Sequence, residues 1–182
     1  KQEKKVLKEI ENEDQGVLNL MTYLRHAGAH PVYNNTDVSY LETGQEKFER
    51  MLLELEKAEH FIFLEYFIIQ EGEMWDEIVE ILLEKVAQGV EVRLLFDGTN
   101  MITKVPLRFP EELRKMGIDV RVFKPIIPVL TLYHNHRDHR KILVVDNYCA
   151  FIGGINLADE YINRLKRFGH WKDTGTLAYG KS

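Results

Sequence analysis

The strongest constraint on how this chain folds is a repeated order of amphipathic helix, glycine and short apolar run. Met74 to Ala87 (MWDEIVEILLEKVA) puts Trp75, Ile78, Val79, Leu82, Leu83 and Val86 in a helical stripe, a core-facing pattern, and Gly89 stops it. Val90 to Phe96 (VEVRLLF) then has the length and residue types of a buried strand. Pro110 to Met116, Gly117 and Ile118 to Phe123 (IDVRVF) give the same order with a shorter helix. Helix, glycine, strand is a generic α/β device, so the pair predicts an α/β fold without implying an internal repeat.

The other segments fit the same architecture. From Gln2 to about Ala27, apolar residues recur at three- and four-residue steps, which predicts an amphipathic helix or helix pair bent at Gly16. A short strand is expected around Val38 to Leu41. Thr43 and Glu46 form a capping box for a helix with Phe48, Met51, Leu52, Leu55 and Ala58 on its buried face. His60 to Ile68 reads as a buried strand, Lys141 to Val145 and Tyr148 to Ile152 as two strands joined at Asp146 and Asn147, and Thr174 to Tyr179 as a last strand. Asn156 is placed to cap a helix running through Glu160. No linker rich in Gly, Ser or Pro divides these segments.

Composition excludes several classes. A single cysteine, Cys149, cannot form an intrachain disulfide or a thiolate zinc site, which fits reducing surroundings. A net charge of -5 argues against a general electrostatic grip on nucleic acid, and none is expected as a partner. Phe61 to Ile69 is about half the roughly 20 residues of a spanning helix and is interrupted by Glu65. Lys124 to Tyr133, with two prolines, reads as a loop or substrate-facing lip. The start at KQEKKVLKEIENED, without Met or signal pattern, suggests a fragment of something longer.

The chemistry concentrates in His134 to Gly154, HNHRDHRKILVVDNYCAFIGG. His139, Lys141 and Asp146 form HxKxxxxD, followed by Gly153, Gly154 and Asn156. On a strand, residues i and i+2 share a face, so His139 and Lys141 should project together while Arg140 faces away. An imidazole attacks, donates and accepts protons near neutrality, and an ammonium beside it can hold a phosphate and neutralise charge growing on its oxygens. Asn156 can donate an amide hydrogen bond to the same phosphate, and Gly153 and Gly154 let backbone approach it closely. Asp146 falls on the wrong parity for that face and is expected to fix the turn.

These residues resemble the phospholipase D superfamily, and AEHFIFLEYFII, GVEVRLLFDG, HRDHRKILVVD, FIGGINLADEY and HWKDT are similar to the first catalytic half of bacterial cardiolipin synthases. The resemblance runs from about Pro31 to Gly180. It implies a phospholipase D-like layered α-β-α domain with a mixed central sheet over residues 31–182. Residues 1–30 are then an N-terminal helical segment, a candidate linker from a membrane anchor. It also implies phosphatidyl transfer in phospholipid synthesis, two phosphatidylglycerol molecules giving cardiolipin and glycerol through a phosphohistidine, without cofactor or metal. By position, His139 is nucleophile or general acid, Lys141 and Asn156 hold phosphate, Asp146 completes the motif, and Asp173 of WKDT orients the histidine. Glu65 is a weaker candidate for lining the cleft.

The sequence also departs from that pattern. Asp138 precedes the histidine where an asparagine is more usual, and Gly175 follows WKDT where a bulkier residue is usual. There is no second HxKxxxxD, because His170-Trp171-Lys172 has Leu177 at the aspartate position. The chain is therefore expected to supply half a site, completed by a second lobe in a parent chain or a second copy. The parent is expected at the cytoplasmic face of the cell membrane, the fragment itself being soluble. Competing readings are a homodimeric phosphodiesterase or nuclease, a noncatalytic anionic-headgroup binding domain, and a metal site at His134, His136 and His139. Asn156 as a plain helix cap, and Asp173 and Glu65 as structural acids, stand beside the functional roles.

Overall fold

The computed structural model describes residues 2–28, 30–125, 136–167 and 169–180. The chain separates into two compact units, 1–37 and 38–180. The first holds α1 (Gln2–Glu13) and α2 (Gln15–Gly28). The helix is interrupted at Asp14, not bent at Gly16: the Asp14 carboxylate accepts from the amides of Gly16 at 2.7 Å and Val17 at 3.1 Å, capping a new helix. No described helix is long and apolar enough to cross a membrane.

In the second unit the order is β1 (Thr36–Leu41, which begins at the division), α3 (Gly44–Glu56), β2 (Phe61–Tyr66), α4 (Glu73–Ala87), β3 (Glu91–Asp97), α5 (Asn100–Thr103), α6 (Phe109–Lys115), β4 (Asp119–Phe123), β5 (Lys141–Val145), β6 (Cys149–Gly153), a 3-10 turn (Asp159–Ile162) and β7 (Gly175–Gly180). The seven strands form one sheet in the order β1-β7-β6-β5-β2-β3-β4. β2, β3 and β4 run parallel, and β5, β6 and β7 alternate antiparallel from β2 onward. The domain is thus α/β with a mixed sheet. The capping box forms, with Glu46 N donating to Thr43 Oγ1 at 3.2 Å, although the Glu46 carboxylate accepts from Glu42 N rather than from Thr43.

Strand alternation assigns one face to the core. Ile62, Leu64, Tyr66, Val92, Leu94, Phe96, Val120, Leu143, Val145, Phe151 and Leu177 are buried, and Met51, Leu55, Trp75, Ile78, Leu82, Phe109 and Leu113 of α3, α4 and α6 pack over them. The opposite face keeps Phe63, Glu65, Leu95, Ile142 and Val144 along a shallow groove of about 400 Å³.

Two polar contacts set the ends of β2. At its start, Asp146 follows β5 in the left-handed conformation (φ 48°), as does Asn147 (φ 58°), the turn expected between β5 and β6. The Asp146 carboxylate accepts from the amides of Glu59 at 2.7 Å, His60 at 2.9 Å and Phe61 at 2.6 Å. Burial works to raise its pKa, but those three amides, with His60 nearby, hold it below the usual carboxylate range. At the end of β2, Asn100 donates to the carbonyls of Phe67 at 2.6 Å and Asp97 at 2.7 Å and accepts from Ile69 N at 3.1 Å.

Two stability predictions arise from these contacts. Asp146→Asn should cost about 2 kcal/mol in urea unfolding at pH 7, because charged acceptors make the stronger hydrogen bonds. A depressed folded-state pKa stabilises above the unfolded value of about 3.9 and loses that contribution as pH falls through the lower folded one. The variant's stability should therefore vary less with pH on the acid side. Asn100→Ala leaves three buried backbone groups short of partners and should cost about 2 to 4 kcal/mol, with faster hydrogen exchange at Ile69 N.

Candidate active site

The site lies at one edge of the sheet, where β2 and β3 end, β5 begins, β6 ends and β7 begins. This is the carboxyl end of the parallel strands, the edge at which open α/β sheets place ligands. Tyr66 pairs with Lys141 and Glu65 with Ile142 across β2 and β5. Directly opposed residues share a face, so Lys141 is on the helix-covered side with Tyr66 and Glu65 is on the other. The His139 ring stands 4.6 Å from that of Phe67, and Lys141 Nζ is 5.1 Å from the same ring centre. His139 and Lys141 thus converge on Phe67, as their spacing predicts. Arg140 turns the opposite way, to Glu65 Oε1 at 2.6 Å.

The two motif residues differ in environment. His139 is exposed, while Lys141 is buried and donates from Nζ to the His139 carbonyl at 2.6 Å. Burial lowers the Lys141 pKa, while the carboxylates of Asp173 and Asp138 act to raise it. An accessible imidazole beside a fixed, poorly hydrated ammonium suits attack on a phosphate diester.

Asp146 is at the far end of β5 and holds β2, so it structures the domain away from His139. Asn156 does not cap a helix: Ala158 occupies the cap position of the 3-10 turn. Its buried Oδ1 instead accepts from Ile68 N at 2.9 Å, tying the loop after β6 to the loop after β2. The glycine pair accommodates protein in this structure. A Cβ on Gly153 (φ 150°) would come 2.6 Å from the Thr174 carbonyl, and one on Gly154 2.3 Å from Asp173 Oδ1. Asp173 is therefore seated against Gly154, and its Oδ1 also accepts from Thr174 N at 2.8 Å. Among the described residues no hydrogen bond joins Asp173 to His139.

Glu65 lies behind the site instead of lining it. Asp138, buried, accepts from Arg140 Nε at 2.9 Å, and its amide donates to Asp97 Oδ2 at 3.1 Å. Burial and a carboxyl hydrogen bond with Asp138 push Glu65 up, against the pull of Arg140. Asp138 is driven below its usual value, the bonds to Arg140 and Glu65 outweighing burial. Both carboxyls face the Arg140 guanidinium, Asp138 at 2.9 Å and Glu65 at 2.6 Å.

Several positioning residues were not legible from motifs. Fully buried Asp97 holds the segment entering β5, and also accepts from Thr99 N at 2.9 Å and Thr99 Oγ1 at 2.7 Å. Asn163, left-handed at φ 58°, brackets Trp171: its Oδ1 accepts from Trp171 N at 2.6 Å and its Nδ2 donates to Trp171 O at 3.0 Å. That fixes the approach to Asp173. Their position after a strand in FDGTN, and after a short turn, was the available signal. His134 and the apolar stretch from 126 to 133 lie outside the described residues. Among the described residues no group of three His, Cys, Asp or Glu side chains could hold a metal ion.

Residues 51–166 match the family described as cardiolipin synthase, PLD-like domain. An uncharacterized protein of Streptococcus mutans is 51% identical over 98% of this chain and 39% of its own length. A cardiolipin synthase of Geobacillus kaustophilus is 41% identical over 85% of this chain and 31% of its own. This chain thus spans between 31% and 39% of these relatives. In fold it is similar to the phospholipase D family member Nuc of Salmonella typhimurium, with TM-score 0.57 and 16% identity, over 80% of this chain and 83% of that one. A site of this geometry, within a match that covers most of the sequence, places the chain in the cardiolipin synthase, phospholipase D-like domain family.

Proposed function

We propose that this chain supplies one of two HxKxxxxD half-sites of a phosphatidyltransferase of cardiolipin synthase type, acting on phosphatidylglycerol at a membrane surface. The observation that carries the reading is the pairing of exposed His139 with buried Lys141 on one aromatic floor, Phe67. In the first step an imidazole nitrogen attacks phosphorus, the phosphorus–oxygen bond to the headgroup glycerol breaks, and glycerol leaves with a proton from the other half-site's histidine. In the second, the headgroup hydroxyl of another phosphatidylglycerol attacks the phosphohistidine, returns a proton to that histidine and forms cardiolipin as the nitrogen–phosphorus bond breaks. His139 takes one of the two histidine roles. Lys141 and the Asn156 amide balance charge on the phosphate oxygens, and the charge of Asp173, which acts on Lys141, favours the His139 imidazolium without a direct hydrogen bond to it.

In an assembly carrying two motifs, His139→Ala should lower cardiolipin formation from phosphatidylglycerol vesicles by at least about a thousandfold. Wild-type turnover by that variant would remove His139 from the reaction. The 182-residue chain alone, shown monomeric by sedimentation, should turn over at under about a hundredth of the assembly's rate, since removing one motif of a unit removes most of its effect. A monomer as fast as the assembly would refute the half-site, and release of phosphatidic acid or cleavage of DNA by a symmetric dimer would replace it with a phosphodiesterase.

A further inference from the structure

A second lysine lies beneath the site and the reaction above does not use it. Lys47, on α3, is fully buried, yet among the described residues its ammonium has one hydrogen bond, to the Ile155 carbonyl at 3.4 Å. Its Nζ sits 5.7 Å from the Tyr66 ring centre, so the side chain reaches from the helix layer to the strand carrying the site. The alkyl chain passes under Gly175: a Cβ there would stand 2.9 Å from Lys47 Cδ. The missing side chain after WKDT is therefore room for this lysine. Gly175 pairs with Gly153 between β7 and β6, and Asp173 lies two residues before it. Lys47 thus underlies the crossing of the Gly153–Asn156 turn and the Asp173 segment.

We propose that Lys47 is a positioning residue: a buried cation that, through the Ile155 carbonyl and the charge of Asp173, holds the Gly153–Asn156 turn and Asp173 in their working arrangement behind Lys141. The proposal rests on the phosphatidyl-transfer reading for its kinetic consequence only. A buried ammonium with one long hydrogen bond is an expensive way to fill a core position that Met could occupy, so its value lies elsewhere than in stability. Burial lowers the Lys47 pKa to about 8, Asp173 works to raise it and Lys141 to lower it further. Among the described residues the charged or titratable groups around the crossing are Lys47 from α3, Tyr66 from β2, Lys141 from β5, Asp173 before β7, and Tyr161 of the 3-10 turn. Because the folded value lies below that of a free lysine, the charged form costs folding free energy below about pH 8, and that cost disappears between the folded value and roughly 10.4.

Two measurements decide it. In the 182-residue chain with 13Cε-labelled lysines, Lys47 should titrate near 8, and Asp173→Asn should move that midpoint down by about one unit. An unmoved midpoint overturns the coupling whatever the reaction turns out to be. In the two-motif assembly, Lys47→Met should lower kcat at least about tenfold with KM within about twofold, and combined with Asp173→Asn should lose no more than Asp173→Asn alone. Its thermal midpoint at pH 7 should equal or exceed that of the unaltered protein. Unchanged kcat, an additive double loss, or a thermal midpoint lowered along with kcat would each overturn the positioning role. The titration needs no substrate, so an assembly that makes no cardiolipin would refute the assigned reaction without deciding the Lys47 coupling.

Discussion

The backbone just past β2 is the constraint on which the site depends. A strand that stops inside a domain leaves amides and carbonyls that must find partners or cost about 1 to 3 kcal/mol each. Here Asn100 takes the Phe67 carbonyl and the Ile69 amide, Asn156 takes the Ile68 amide, and Leu157 pairs with Ile68 O at 3.1 Å and, through its own carbonyl, with Gln70 N at 3.0 Å. These contacts place Phe67 under His139 and Lys141. They also join three chain regions, the ends of β2 and β3 and the loop after β6, into one platform.

Charge on that platform is arranged by depth. His139 and Arg140 reach solvent, while Lys141, Asp138, Asp97 and Lys47 are buried. Buried ionic groups that outnumber simple pairs are costly. The cost is limited because each group also bonds to backbone: Lys141 to the His139 carbonyl, Asp97 to the Thr99 and Asp138 amides, Lys47 to the Ile155 carbonyl. The Asp138 carboxylate before the histidine is balanced by Arg140, which also reaches Glu65.

What was legible in the sequence was local. The capping box of α3, the turn at Asp146 and Asn147, the convergence of His139 with Lys141 and the divergence of Arg140 all depend on residues a few positions apart. Asn156 reads locally as a helix cap, whereas its side chain accepts from Ile68 N, 88 residues away. The polarity of Glu65 within an apolar strand suggests the cleft, and register with Ile142 puts it on the other face. Asn100 and Asp97 carry no local signal of their roles, since their partners stand 31 and 41 residues away.

By itself the sequence determined the class of fold, the family and the convergence of His139 with Lys141. The fold class and that convergence follow from periodicity and short-range spacing, which survive without knowledge of what lies opposite, and the family from the resemblance of its linked motifs. Only the tertiary structure decided which groups hold that pair in place. Sheet register selects the face of each strand, and burial selects which charges need partners. For that reason Lys47, one of many helix lysines in the sequence, becomes a buried cation 108 residues from the carbonyl it binds.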